Sequence, residues 1–302
     1  MRLASGWHNG EGLNVDERAV VFQVHGQSLL GICHRAEGRR GVLMVVGGPQ
    51  YRVGSHRQFV LLARGLAAQG VPVFRFDYRG MGDAEGESPG FEAVEADIRI
   101  AVDRFQHQVP QLEEVVLWGL CDAASAGLLY AWQDPRVVGL VLLNPWVRTE
   151  AGLARAYLRH YYLRRLASPG FWKDLGQRRV KPLRAFSGLL RTLVAGSRTG
   201  RHEPAEGLDA AKLPLPVRMA DGWRRFRGPV LLILSGNDLT AAEFRDVVAT
   251  TRAWRGLLRQ DRVEVRELRE ANHTFSRGVW RDQVARWTGD WVAALPARER
   301  AA

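Results

Sequence analysis

Short apolar runs alternate along this chain with amphipathic stretches whose period fits a helix. Near the start, the runs 20–25 and 28–34 flank a Gly26-Gln27 turn and read as an antiparallel pair of strands. The next run, Gly41-Val-Leu-Met-Val-Val-Gly-Gly48, is apolar without alternation, the pattern of a strand covered by helices on both faces. A helix is predicted over 56–69, then a strand over 71–78, a glycine-rich turn, a long helix over 91–108 and a strand that ends at Leu120. The run 137–144 continues the sheet, and 229–238 and 263–273 supply two late strands before an amphipathic segment at 278–295. This alternation predicts the α/β class: a mostly parallel central sheet flanked by helices, with ligands held at the strands' carboxyl ends.

Between 146 and 227 the rhythm breaks. Helical stretches at 151–166 and 182–193 are punctuated by Ser168-Pro169-Gly170, Gly196 and the Pro214/Pro216 pair, with no clear strand. The expected division is a core of 1–145 and 228–302 and a helical cap of 146–227. A cap inserted there would act as a lid that excludes water and shapes the pocket.

The chemistry centres on Val115-Val-Leu-Trp-Gly119-Leu-Cys121-Asp122-Ala123-Ala124, an apolar strand that turns at once into an Ala-rich helix. A reversal within about two residues strains the turn residue and requires small neighbours two positions either side, as at a nucleophile elbow. Gly119 and Ala123 meet that requirement. A lone cysteine after a buried strand is more often a small core residue; what raises Cys121 above that is the order of groups downstream. Asp238 ends the 229–238 run in a Gly-Asn-Asp turn, and His273 follows the 263–273 run. Nucleophile, acid and base thus stand in the sequence order of a triad grafted on strand ends, with Cys121 attacking, His273 as base and Asp238 orienting it.

The amide of Asp122 is the first expected oxyanion donor, and the second should come from the loop Gly47-Gly-Pro-Gln-Tyr51. Pro49 has no N–H, so the donor falls to Gln50 or Tyr51, with Gln50 taken as the candidate. The Asp122 carboxylate would disfavour a neighbouring thiolate, by little if it faces solvent. Asp77-Tyr-Arg79-Gly80-Met-Gly82-Asp83 lacks both the dinucleotide spacing and the lysine of a phosphate loop, so Asp77 and Arg79 are expected to tie adjacent loops together.

Composition narrows the picture further. The 302 residues are 46% hydrophobic, enough for one large α/β domain with an insertion. Two cysteines, Cys33 and Cys121, make no disulfide framework. The N-terminal segment has no apolar h-region, and no run approaches the ~20 apolar residues of a membrane span, which predicts a cytoplasmic chain. The net charge of +11 is local: 148–227 holds 18 Lys+Arg against 6 Asp+Glu. Without zinc-finger spacing or an RNA-recognition signature, that basicity points away from nucleic acid and toward an anionic or lipid-linked acyl substrate, or peripheral membrane contact through the cap. Arg155 and Arg159, beside Tyr157, Tyr161 and Tyr162, would form its basic, aromatic face. No cofactor or metal is required.

Taken together, the strings Gly47–Phe59, Phe76–Asp83, Leu117–Ala124 and Leu142–Gly152 resemble the exosortase A system-associated hydrolase family 1, a group within the α/β-hydrolase superfamily. The resemblance implies an α/β-hydrolase fold and a genomic neighbourhood of bacterial exopolysaccharide and protein-sorting genes. Against the wider superfamily, cysteine replaces the usual serine, a departure similar to dienelactone-hydrolase-type enzymes, and Ala123 replaces the elbow's second glycine. The expected activity is hydrolysis of an ester or thioester. The alternatives are acyl transfer to a polysaccharide precursor, and a binding protein that keeps the fold without the catalysis.

Overall fold

The computed structural model describes residues 16–48, 50–147 and 213–296. Eight strands form one sheet: β1 (Glu17–Val24), β2 (Gln27–His34), β3 (Arg40–Val45), β4 (Val73–Phe76), β5 (Glu114–Leu120), β6 (Val137–Leu143), β7 (Val230–Ser235) and β8 (Val263–Leu268). Their order is β1-β2-β4-β3-β5-β6-β7-β8. β1 pairs with β2 and β2 with β4 antiparallel, while every later pairing is parallel. The division follows the side-chain pattern: β1 alternates exposed and buried residues, as a half-solvated edge does, whereas β7 is buried at every position.

Six helices are described: α1 (Gln58–Ala68), α2 (Glu95–Gln108), α3 (Asp122–Tyr130), α4 (Leu215–Arg225), α5 (Leu239–Thr250) and α6 (Gly278–Ala294). Alternate residues of one strand feed opposite sides of the sheet. Val42 and Met44 pack with α1 and α6 residues such as Leu62 and Trp291, while Leu43 and Val45 join Phe105 of α2, Leu128 of α3 and Phe244 of α5. A strand covered on both faces has no polar side to show, and its sequence loses its alternation for that reason.

Three features depart from the sequence expectations. The helix expected from 56 begins at Gln58, because His56 and Arg57 take left-handed backbone (φ 55° and 60°) and break the helical path. Helix α5 was not anticipated; it starts where Asp238 accepts hydrogen bonds from the amides of Thr240 and Ala241. The end of the stretch assigned to the cap forms α4, which buries Met219, Ala220 and Trp223 in the main core. There a Cβ on Gly222 would stand 2.6 Å from the Leu128 carbonyl oxygen, so α3 and α4 pack at a distance only glycine permits. The cap helices expected at 151–166 and 182–193, with Arg155, Tyr157, Arg159, Tyr161 and Tyr162, lie outside the described residues. No helix among the described residues is long and apolar enough to cross a membrane.

Candidate active site

Parallel pairing brings the carboxyl ends of β3, β5, β6, β7 and β8 to one edge, and every candidate group follows one of these strands at that edge. Between β5 and α3, Cys121 holds φ 64° and ψ −124°, a conformation that costs an L-residue on the order of 1–3 kcal/mol unless the surroundings impose it. They do: its N–H donates to the Leu143 carbonyl (2.9 Å), and its own carbonyl accepts from Ala124 (3.1 Å) and Trp146 (3.2 Å). The thiol is free and half-buried.

The small neighbours follow from close contacts. A Cβ on Gly119 would lie 2.6 Å from the carbonyl carbon of Ala123. The methyl of Ala123, where an elbow usually has glycine, is accommodated by a glycine elsewhere: a Cβ on Gly47 would meet it at 2.9 Å and the Asp122 Oδ1 at 2.0 Å. Gly47 thus brings the loop after β3 against the N-terminus of α3.

Asp238, at the end of the β7 turn, is nearly buried. Its Oδ2 accepts from the Ala241 amide (2.9 Å) and stands 3.0 Å from Nδ1 of His273. With Nδ1 turned to Asp238, Nε2 is the ring nitrogen free to serve Cys121, whose side chain is among the groups that act on the imidazole. Burial works against charge on His273, but the hydrogen bonds and charges of Asp238 and Cys121 outweigh it and raise the imidazole from its ordinary 6.5 to about 10. Burial also pushes Asp238 upward, and the His273 hydrogen bond and charge with the α5 amides more than reverse it, so its carboxyl lies below the ordinary value. The structure therefore pairs His273 with Asp238 and sets Cys121 on the strand-to-helix turn at the same edge of the sheet.

The surroundings of the two amides expected as oxyanion donors, those of Asp122 and Gln50, differ from expectation in one respect. Asp122 does not face solvent: its carboxylate accepts from the amides of Gly48 (2.8 Å) and Ala123 (2.9 Å). Burial, only partly offset by those bonds, raises its pKa. The Gly48 N–H is thus taken, Pro49 has none, and Gln50 is the next amide along the loop. Gln50 is half-buried, and its side-chain oxygen accepts from the Ser55 amide (3.2 Å), which fixes the loop's curvature. Among the described residues no other group uses the Gln50 main-chain N–H. Asp77 and Arg79 do tie loops together. Asp77 accepts from the Arg52 amide (2.6 Å) and pairs with its guanidinium, while Arg79 grips the buried Asp97 at 2.8–3.1 Å.

Two further residues escaped the reading of the sequence. Asn144, fully buried after β6, donates from Nδ2 to the His273 carbonyl (3.0 Å) and accepts at Oδ1 from the Ser235 amide (2.9 Å). Gly236 lets the acid turn touch the base loop, since a Cβ there would lie 2.2 Å from the Arg269 carbonyl oxygen. The usable signal was an asparagine directly before a proline at a strand's end, where left-handed backbone is tolerated by that side chain.

An elbow after the fifth strand, with an acid and a histidine after the seventh and eighth, defines a class of proteins, and residues 42–287 match the alpha/beta hydrolase family. The chain belongs to that family. Its fold is similar to an esterase of Pyrococcus furiosus (TM-score 0.62, 13% identity, 98% of this chain and 99% of that one). It is also similar to alpha/beta hydrolase domain-containing protein 10 of mouse (0.56, 13%, 91% and 98%) and to a dienelactone hydrolase of Anabaena variabilis (0.58, 15%, 94% and 99%). No curated protein sequence matches the chain.

Proposed function

We propose that this protein hydrolyses an ester or thioester through Cys121, with His273 as proton carrier and Asp238 as its orienting acid. The observation that carries the reading is a thiol on a strained strand-to-helix turn, at the same sheet edge as a histidine whose Nδ1 stands 3.0 Å from a nearly buried carboxylate. With its pKa raised to about 10, His273 is basic enough to take the proton of the Cys121 thiol as the sulfur attacks. Esterases and a dienelactone hydrolase among the structural neighbours agree with this class of substrate.

In the first half-reaction the sulfur's electron pair forms a bond to the acyl carbon, and the carbonyl π electrons move to oxygen. The amides of Asp122 and Gln50 are the assigned donors to that oxyanion. As the carbonyl re-forms, the bond to the leaving alcohol or thiol breaks and the leaving group takes the proton from His273 Nε2. In the second, a water gives a proton to His273 and its oxygen attacks the S-acyl carbon; collapse releases the acid and the thiolate. Asp238 keeps the ring in the tautomer that presents Nε2 to sulfur throughout. The resemblance to exosortase-associated hydrolases directs the substrate search toward acylated saccharides and lipid-linked precursors, and the excess of Lys and Arg over 148–227 toward anionic ones.

The test is intact-protein mass after mixing with p-nitrophenyl acetate and with an N-acetylcysteamine thioester. One acyl group on Cys121, with a burst of leaving group and then steady turnover, is expected. Release of acyl to an added sugar in preference to water would make the enzyme a transferase. No adduct on Cys121 with either ester would refute the catalytic reading and leave a binding protein.

A further inference from the structure

Asn144 is a fully buried side chain that, among the described residues, bonds both to the strand carrying the acid and to the loop carrying the base. It sits at φ 43°, with its own N–H donating to the Ile233 carbonyl of β7 (3.1 Å). Its Oδ1 accepts from the Ser235 amide (2.9 Å), three residues before Asp238, and its Nδ2 donates to the carbonyl of His273 itself (3.0 Å). The chain on either side of it is stapled to the Cys121 backbone, since the Leu143 carbonyl accepts from the Cys121 N–H (2.9 Å) and the Trp146 amide donates to the Cys121 carbonyl (3.2 Å). Both hydrogen-bonding ends of a planar amide are used, and the amide spans β7 and the base loop while its backbone abuts the elbow.

We infer that Asn144 is a positioning residue that sets the place of the His273 backbone relative to both Asp238 and Cys121. The physical reason lies in how the loop is held. His273 follows β8 by a turn whose described bonds, Asn272 with Ser276 and Phe275 with Asn272, are internal to that turn and fix its shape, not its distance from the sheet. Contacts to the acid turn, Asn237 to the Ala271 carbonyl (3.0 Å), act two residues upstream. Only the bond from Asn144 reaches the histidine's own peptide among the described hydrogen bonds. A ring anchored that way needs no movement to swap a proton between sulfur and leaving group, and a displacement of about 1 Å there is worth about 10²-fold in rate. A side chain that merely filled the same space would leave the loop free to shift along β7.

This inference rests on the proposed Cys121 chemistry, so its test includes readouts that need no substrate. Asn144→Asp keeps the acceptor for Ser235 and replaces the donor to His273 by an oxygen. Asn144→Gly removes both side-chain bonds, while glycine adopts φ 43° freely and retains the N–H to Ile233, so this variant is the one built to fold. Tyr130→Phe, which deletes a buried 2.5 Å hydrogen bond to Asp134 remote from the site, is the control for lost stability alone. Measured for each are steady-state kinetics on p-nitrophenyl acetate, the NMR titration midpoint of His273, and the rate of Cys121 alkylation by iodoacetamide at pH 7. Expected for both Asn144 variants are a kcat lower by about 10–100-fold with KM within about threefold, a lower His273 midpoint and slower alkylation. The control should change none of the three. If both Asn144 variants match Tyr130→Phe in midpoint and alkylation rate, Asn144 is structural and the inference fails. If the parent turns over no ester yet the midpoint and alkylation still respond to Asn144, the function is misassigned and the positioning role stands.

Discussion

Gly47 and Gly48 are adjacent glycines with opposite structural demands, and exchanging each for alanine separates a steric requirement from a conformational one. At Gly47 a methyl would stand 2.0 Å from Asp122 Oδ1, 2.6 Å from the Ala123 nitrogen and 2.9 Å from its Cβ. Two of those three atoms, the Ala123 nitrogen and Cβ, are fixed to the main chain of α3 and cannot rotate away, so the loop must lift off the helix. Overpacking of this kind destabilises by about 1–3 kcal/mol, or roughly 2–10 °C in Tm for a chain of this size. Because the lift carries Gln50 and breaks the Gly48 bond to Asp122, removal of a loop oxyanion donor should lower kcat/KM by about 10²–10³. At Gly48 a methyl meets no described atom within 4 Å, but the residue holds φ 63°, so Gly48→Ala should cost about 1–2 kcal/mol through backbone strain alone. Its N–H remains, and kcat/KM should stay within a few-fold of the parent. Thermal melts and p-nitrophenyl acetate hydrolysis on both variants decide the matter. Parental kcat/KM in Gly47→Ala, or an equal loss in both, would refute the account of how the oxyanion loop is seated.

Three further outcomes follow from the same geometry. Cys121→Ala should fold and lose the acyl adduct entirely, whereas Cys121→Ser should fold and retain a fraction of turnover; an adduct persisting in Cys121→Ala by mass spectrometry would place the nucleophile elsewhere. Asp238→Asn still caps α5, so the fold should hold, but loss of the carboxylate should bring the His273 midpoint well below about 10 and reduce kcat by several orders of magnitude, read by NMR titration and kinetics. Because the folded pKa of His273 is raised from 6.5 to about 10, its contribution to stability is complete below pH 6.5 and disappears as pH rises through 10. Urea unfolding across that window should show stability falling with pH in the parent and a flatter profile in His273→Ala.

How much of this was legible beforehand divides along physical lines. The fold class, the strand positions and the order Cys121, Asp238, His273 could be read from sequence, because apolar periodicity reports which faces are covered and a strand-end turn advertises itself through Gly-Asn-Asp or Gly-x-Cys. The tie between Asp77, Arg79 and their loops was also legible, since paired charges after a buried strand must be neutralised. Local pattern could not reveal the direction of the Asp122 side chain. A residue in a helix's first turn is ordinarily solvated, and only the loop after β3, brought in by the sheet from 74 positions earlier, offers it the Gly48 amide. Nor could it reveal the partners of Asn144, which lie 91 and 129 positions downstream, even though the Asn-Pro pair at a strand's end marked the residue itself. It likewise could not show that an alanine in the elbow is compensated by Gly47. Sequence by itself determined which residues the strand ends carry, because propensity and burial act over a few residues. The tertiary structure alone decided which amides and carbonyls face each other across those ends, because strand order, and not chain proximity, sets those neighbours.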